Sequence, residues 1–268
     1  MDFLNRKVVV VTGGSEGIGK ALVELALRNG AKVATCSRNH DKLYHLQKKN
    51  PGKPLHIEVA DVSKEADCKH FIDSTIKYFG GIDILINNAG ISMRAELKDA
   101  DTDVIKKVMD INFFGTVYCT RFALDSVISR KGTIVGVSSV AGYRGLPGRT
   151  GYNASKFAMQ GFLESLRVEM LHTGVNVMWV CPGFTASNIR NASLQKDGSS
   201  QGYSTLDESK LMTAEECAAI TYRAIGKRKR TLIYTFEDKR TIFLTKFFPK
   251  LTDKLVYKFF YKNNELVK

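Results

Sequence analysis

The chain has no paired cysteines: Cys36, Cys68, Cys119, Cys181 and Cys217 stand singly, odd in number and without CxxC or CxxxC spacing. That excludes a disulfide framework, predicts no metal site, and points to a reduced, intracellular setting. No apolar run reaches the length of a membrane span, and a short polar lead runs directly into VVVVT, so neither a signal peptide nor a spanning helix is expected. Internal repeats and low-complexity tracts are also missing. What remains is a chain of 268 residues, 44% hydrophobic and 25% charged, which is the composition of a protein with a sizeable buried core and the length of a single α/β domain.

Acidic residues are in deficit, 27 against 40 basic ones, for a net charge of +13. Such a surplus raises the question of nucleic acid, so its position matters. From Thr221 onward there are 13 Lys/Arg and 4 Asp/Glu, a net of +9, which leaves +4 for the first 220 residues. The charge is a property of the tail. KRKR at 227–230 sits in no recognisable nucleic-acid-binding module, and no nucleic-acid partner is expected.

Seven short β-branched or aromatic segments, bounded by Gly, Asn, Asp or Pro, read as strands: KVVVVT, AKVATC, LHIEVA, DILINN, GTIVGV, GVNVMWV and RTLIYT. Apolar residues at helical spacing fill 17–29, 64–79, 100–129, 152–172 and 213–226, with a shorter helix near 40–48. Strict alternation of the two predicts an α/β fold, a seven-stranded parallel sheet doubly wound with helices on both faces. Two stretches break the rhythm, a polar segment from Ser187 to Lys210 and a basic aromatic tail beyond Asp238. The expected division is therefore one domain over 1–238, including a substrate loop at 184–212, and a helical extension over 239–268.

Directly after the first strand comes TGGSEGIGKALVELAL, with Gly13, Gly17 and Gly19 opening a helix. Glycines permit a tight strand-to-helix turn and let a pyrophosphate approach the amides at the positive end of the helix. The TGxxxGxG spacing resembles that of the short-chain dehydrogenase/reductase family, and more narrowly its hydroxysteroid dehydrogenase-like and lipid-ketone reductase branch. The resemblance implies a Rossmann-like fold in which Gly13, Ser15, Gly17, Ile18 and Gly19 surround the phosphates. It also implies that Asp61 and Val62 contact the adenine and that Asn88 and Gly90 line the floor. The second strand ends ATCSRN, without the acid by which relatives that prefer NAD hold the adenosine ribose. Ser37 and Arg38 stand there instead, and a guanidinium fork suits a ribose phosphate, so NADP(H) is the expected cofactor. Glu16 departs from the basic residue that many NADP(H)-preferring relatives carry in the glycine loop.

KVMDINFFGT, SSVAG and YNASK match the family's catalytic positions with Asn112, Ser139, Tyr152 and Lys156. Tyr152 and Lys156 are four apart at the start of a helix, so both side chains share a face. Hydride transfer to a carbonyl builds negative charge on its oxygen, which calls for an acid beside it and support for that acid's conjugate base. By resemblance Tyr152 is the acid, Lys156 lowers its pKa and holds the nicotinamide ribose, Ser139 positions the substrate oxygen, and Asn112 orients a water. CPGFTASN matches the Pro-Gly turn beside the nicotinamide, with Pro182, Gly183, Thr185 and Ser187 as cofactor contacts.

The expected activity is interconversion of a ketone and a secondary alcohol, on a lipophilic, steroid- or lipid-like substrate. A catalytically silent dinucleotide-binding regulator is the alternative from another class. Arg144, Arg149 and Arg190 either meet an anionic group or face solvent. The resemblance also implies a homodimer or homotetramer. In the tail, Lys246, Lys250, Lys254, Lys258 and Lys262 recur every fourth residue beside Phe248, Leu251, Leu255 and Phe259, with Pro249 in a first turn. This basic amphipathic helix either attaches a cytoplasmic protein to an anionic membrane surface or packs as a lid, sheet-edge cover or dimer contact.

Overall fold

The structure, a computed structural model, describes residues 1–204, 207 and 211–267. Seven strands form one parallel sheet: β1 (Val8–Thr12), β2 (Lys32–Ser37), β3 (Leu55–Val59), β4 (Ile84–Asn87), β5 (Thr133–Val137), β6 (Asn176–Cys181) and β7 (Thr231–Ile233). Their order is β3-β2-β1-β4-β5-β6-β7. The chain winds outward from β1 in one direction, then returns to β4 and winds in the other. The carboxyl ends of β1 and β4 therefore flank a crevice, the place where open parallel sheets bind ligands.

Every residue of β1, β4 and β5 is buried, because helices cover both faces. Alternation along β1 sorts its side chains: Val9 and Val11 join the core under α1 (Gly17–Arg28) and α7 (Ala214–Gly226), together with Leu22, Ala26 and Tyr222. Val10 faces the opposite core, with Phe71 of α3 (Glu65–Phe79), Cys119 of α5 (Gly115–Ser129) and Leu163 of α6 (Thr150–Glu169). The short α2 (His40–Lys48) is capped by Asn39, whose side chain accepts from the Lys42 amide, and α7 opens with a reciprocal Thr213/Glu216 capping box.

The long helix expected over 100–129 is interrupted. It comprises α4 (Thr102–Met109) and α5, joined by a π-turn at Asp110–Phe114 that contains Asn112. One residue too many for α-geometry is accommodated there, and such turns recur at functional sites.

The tail forms two helices packed on each other, α8 (Phe236–Phe247) and α9 (Pro249–Phe260), followed by a small hairpin of β8 (Tyr261–Lys262) and β9 (Glu265–Leu266). Pro249 occupies the first turn of α9. Lys246 thus belongs to α8 and Lys262 to the hairpin, so the four-residue lysine repeat runs over three elements instead of one helix. Contacts among the described residues fasten the tail to the loops above the sheet. Arg144 pairs with Asp253 at 2.6 Å, the Tyr261 hydroxyl donates to Glu96 at 2.5 Å, and Leu266 lies against Gly148. Of the substrate loop expected over 184–212, residues 205, 206 and 208–210 lie outside the described residues. No helix among those described is long and apolar enough to cross a membrane.

Candidate active site

The crevice between β1 and β4 opens into a groove of about 630 Å³. Its walls include Gly13, Ser15, Gly17, Ile18, Gly19, Ser37, Arg38, Asp61, Val62, Asn88, Gly90 and Ser187. Gly13 and Gly17 turn at positive φ, and a Cβ on Gly19 would stand 2.2 Å from the Gly13 carbonyl, so no side chain fits between loop and helix start. Asn88 fixes the loop from the other side, its Nδ2 donating to the carbonyls of Thr12 at 2.9 Å and Gly13 at 3.2 Å. This cradle, with bare backbone at the N-terminus of α1, fits a dinucleotide's pyrophosphate.

At the end of β2 the chemistry is richer than the sequence suggested. Glu16 is held by Lys42 at 2.5 Å, and Lys42 itself lines the groove beside Arg38 and Asn39. The acid in the glycine loop is thereby neutralised, and a second cation joins Arg38 at this end. Lys42 escaped the sequence reading because its partner lies 26 residues away. Asp61 accepts from the amide and hydroxyl of Ser63, which keeps the turn after β3 closed. Asn87 donates to Thr120 at 2.9 Å, a bond between strand and helix consistent with a structural part.

The four residues expected to carry chemistry converge beyond the far end of this groove. Ser139 heads the turn after β5, where its hydroxyl accepts from the Ala141 amide at 3.2 Å and acts to lower the pKa of the Tyr152 phenol. Its neighbour Ser138 is buried and accepts from Gln160 at 2.8 Å, which leaves Ser139 as the serine facing Tyr152. Tyr152 and Lys156 lie one turn apart on α6, with the Lys156 ammonium 5.6 Å from the phenol ring centre. Asn112 is fully buried in the π-turn. It accepts from the Ile91 amide at 2.8 Å and donates to the Ile91 carbonyl and to Ser155, both at 2.9 Å. A Cβ on Gly90 would lie 3.1 Å from Asn112 Oδ1 and 3.6 Å from Lys156 Nζ, so Gly90 keeps the space between them open. Pro182, Gly183 and Thr185 follow β6 outside the groove wall; Gly183 abuts Thr235 and Asp238, and the Thr185 hydroxyl donates to the Gly183 carbonyl at 3.1 Å.

Burial raises the Tyr152 pKa; the Ser139 hydroxyl opposes this, followed by the positive charges of Arg149 and Arg190. The Lys156 ammonium stands 5.6 Å from the phenol ring centre, with its Nζ donating to the Val137 carbonyl at 2.8 Å.

Burial pushes the Lys156 ammonium down to about 8. The unfolded chain keeps that proton up to the ordinary lysine value, whereas the native protein releases it near 8. Raising the pH between the two therefore favours the native state. The stability of wild type relative to Lys156→Met is expected to rise by on the order of 2 kcal/mol between about pH 7 and pH 10. Urea unfolding of both proteins across that range measures it, and a pH-independent difference would show that the buried ammonium does not titrate.

A family model described as short chain dehydrogenase matches residues 7–198. The chain is 33% identical over 258 residues to mouse "Dehydrogenase/reductase SDR family member 7B", covering 93% of this chain and 80% of that protein. It is 36% identical over 233 residues to Arabidopsis thaliana "11-beta-hydroxysteroid dehydrogenase-like 4A", covering 84% and 75%. Among solved structures, a short chain dehydrogenase/reductase from Burkholderia phymatum in complex with NAD superposes with a TM-score of 0.84 at 22% identity, over 94% of this chain and 96% of that one. An alcohol dehydrogenase from Thermococcus sibiricus complexed with 5-hydroxy-NADP gives 0.75 at 23%, over 86% and 95%. At such identities these two structures speak for the fold, and the family model together with the relatives decides membership: the chain belongs to the short-chain dehydrogenase/reductase family of oxidoreductases.

Proposed function

We propose that this protein is an NADP(H)-dependent oxidoreductase interconverting a ketone and a secondary alcohol on a lipophilic substrate. The observation that carries the reading is the convergence of Ser139, Tyr152 and Lys156 on one spot beyond a groove shaped for a dinucleotide. A bound nicotinamide would supply or accept the hydride. Tyr152 would give its proton to the carbonyl oxygen in reduction and take it back in oxidation, with Ser139 bonded to the same oxygen. Arg149 and Arg190 favour the phenolate left behind. Lys156, Gly90 and Asn112 frame the space in which the nicotinamide ribose would sit. A catalytically silent regulator has no use for this tyrosine, serine and lysine together, which favours the enzyme.

The preference for NADP(H) rests on Arg38 and Lys42 beside the end of β2, where no free acid stands to receive ribose hydroxyls. The lipophilic substrate is supported by the hydroxysteroid dehydrogenase-like name of a plant relative. A turnover screen with NADPH and NADH against steroid, acyl and sugar ketones tests the whole reading. Turnover of sugar ketones alone would overturn the lipophilic part, and no turnover of any ketone would favour the regulator.

Attachment to an anionic membrane surface and assembly as a homodimer or homotetramer belong to the same proposal. For the membrane, the support is the outer face of the tail, where Phe236, Phe243, Phe247 and Phe248 are 74%, 55%, 57% and 52% exposed among lysines. Exposed aromatics beside lysines suit an anionic headgroup region, each nearby lysine contributing about 1 kcal/mol. Flotation with phosphatidylserine vesicles is expected for wild type and lost in the double variant Phe243→Ser/Phe247→Ser. Equal flotation of both, or of neither, would place the aromatics in another role.

A further inference from the structure

Three loops meet around Tyr152, which packs against the cluster holding Met93, Ala95 and Leu194, and the Ala95 amide donates to the Gly148 carbonyl at 2.9 Å; each loop brings an arginine. Arg94 lies after β4, on a segment tied to the substrate loop through its amide bond to the Leu194 carbonyl at 2.7 Å. Arg149 directly precedes α6, three residues before the tyrosine. Arg190 sits in the loop after β6, donating to the Thr185 carbonyl at 2.7 Å.

Arg149 is the informative one. It is mostly shielded from solvent, with Phe260 of the tail 5.7 Å from its guanidinium, yet no hydrogen bond or ion pair to any described residue holds that guanidinium. Burial lowers its pKa, and the like charges of Arg94 and Arg190 lower it further; only the Tyr152 phenol acts the other way. Arg144 shows the ordinary solution in the same loop, an ion pair with Asp253. A half-buried cation repelled by two others and left without a carboxylate is unfavourable for the protein alone, and it becomes favourable when an anion enters.

We infer that Arg94, Arg149 and Arg190 form an anion subsite beside Tyr152, so that the substrate is a ketone or alcohol whose apolar skeleton carries a carboxylate or phosphate. The inference rests on the reading of Tyr152 as the reacting group. It refines the substrate from a lipophile to an anionic amphiphile. The guanidinium fork matches either anion in two-pronged fashion, and Phe260 supplies an apolar surface against the same guanidinium. Arg149 then acts twice, orienting the anion and favouring the tyrosinate, which ties recognition of the anion to the chemical step.

Long-chain keto acids and their methyl esters, with the ketone at varied distance from the carboxylate, form the test set. Two readouts are taken: kcat/KM with the reduced nucleotide, and calorimetric affinity for protein loaded with the oxidised one. In wild type at least one acid is expected to exceed its ester tenfold or more in both. That ratio is expected to fall toward one in Arg149→Met, which retains the packing on Phe260, and to fall partly in Arg94→Met. Esters equal to acids in both readouts would overturn the subsite, as would an unchanged ratio in Arg149→Met. Acids that bind tenfold better than esters without being turned over would uphold the subsite and count against the oxidoreductase reading instead. Matched phosphates and phosphate methyl esters then distinguish the preferred anion.

Discussion

Tyr152→Phe is expected to lower kcat by at least 10²-fold, and up to about 10⁴-fold, while nucleotide affinity changes less than about threefold. The substitution removes one hydroxyl from a side chain at the start of α6 and leaves the helix, the Lys156 bond to Val137 and the glycine cradle as they are. Nothing in the groove wall is touched, since Tyr152 lies beyond it. Binding and turnover should therefore separate cleanly, measured by nucleotide fluorescence titration beside steady-state kinetics. Activity within tenfold of wild type would mean that another group protonates the carbonyl oxygen, and the assignment of Tyr152 would be lost. Parallel loss of binding would indicate that the phenol is structural.

Arg38→Asp is expected to shift the ratio of kcat/KM for NADPH over NADH by about 10- to 100-fold toward NADH, the worth of one charge-assisted hydrogen bond. The exchange removes a partner for the ribose phosphate and supplies a carboxylate that accepts from ribose hydroxyls. Lys42 tempers the change, because it stays in the groove wall with Glu16. The double variant Arg38→Asp/Lys42→Ala should go further than the single one. An unchanged ratio in both would show that these cations face solvent, and the argument from the end of β2 would fail with it.

The sheet was legible in the sequence because strands covered on both faces must be short and apolar throughout, and Gly, Asn and Asp mark their ends. The glycine loop and the Tyr152–Lys156 interval were legible because each is a local spacing imposed by backbone geometry. The features missed depend on partners far along the chain. Lys42 reads as one more surface lysine until α2 folds it toward Glu16. Arg149 stands open between meeting an anion and facing solvent until Phe260, more than a hundred residues later, closes over it. The π-turn was hidden for another reason: a single extra residue barely disturbs the apolar periodicity of 100–129, and only the hydrogen bonds reveal it. In the tail, Pro249 marks a helix start in sequence and structure alike, but the preceding helix Phe236–Phe247, which takes Lys246, was not read from the sequence.

That π-turn fixes how the protein tolerates insertions and deletions. α4 packs on α6, and α5 packs on α3, so the two halves of the interrupted helix answer to different neighbours. Each α-helical residue advances the facing direction by about 100°. Five residues of π-turn carry the chain through about the angle that four α-helical residues would, so the extra residue is absorbed and each half keeps its own facing. Deleting one residue from 110–114 would leave Val104 and Val108 on the core with Met93, and Cys119 and Ala123 on the one with Phe71, but would remove the turn that presents Asn112 to Ile91 and Ser155. The length of this stretch thus governs the placing of Asn112 and not the packing of the two helices.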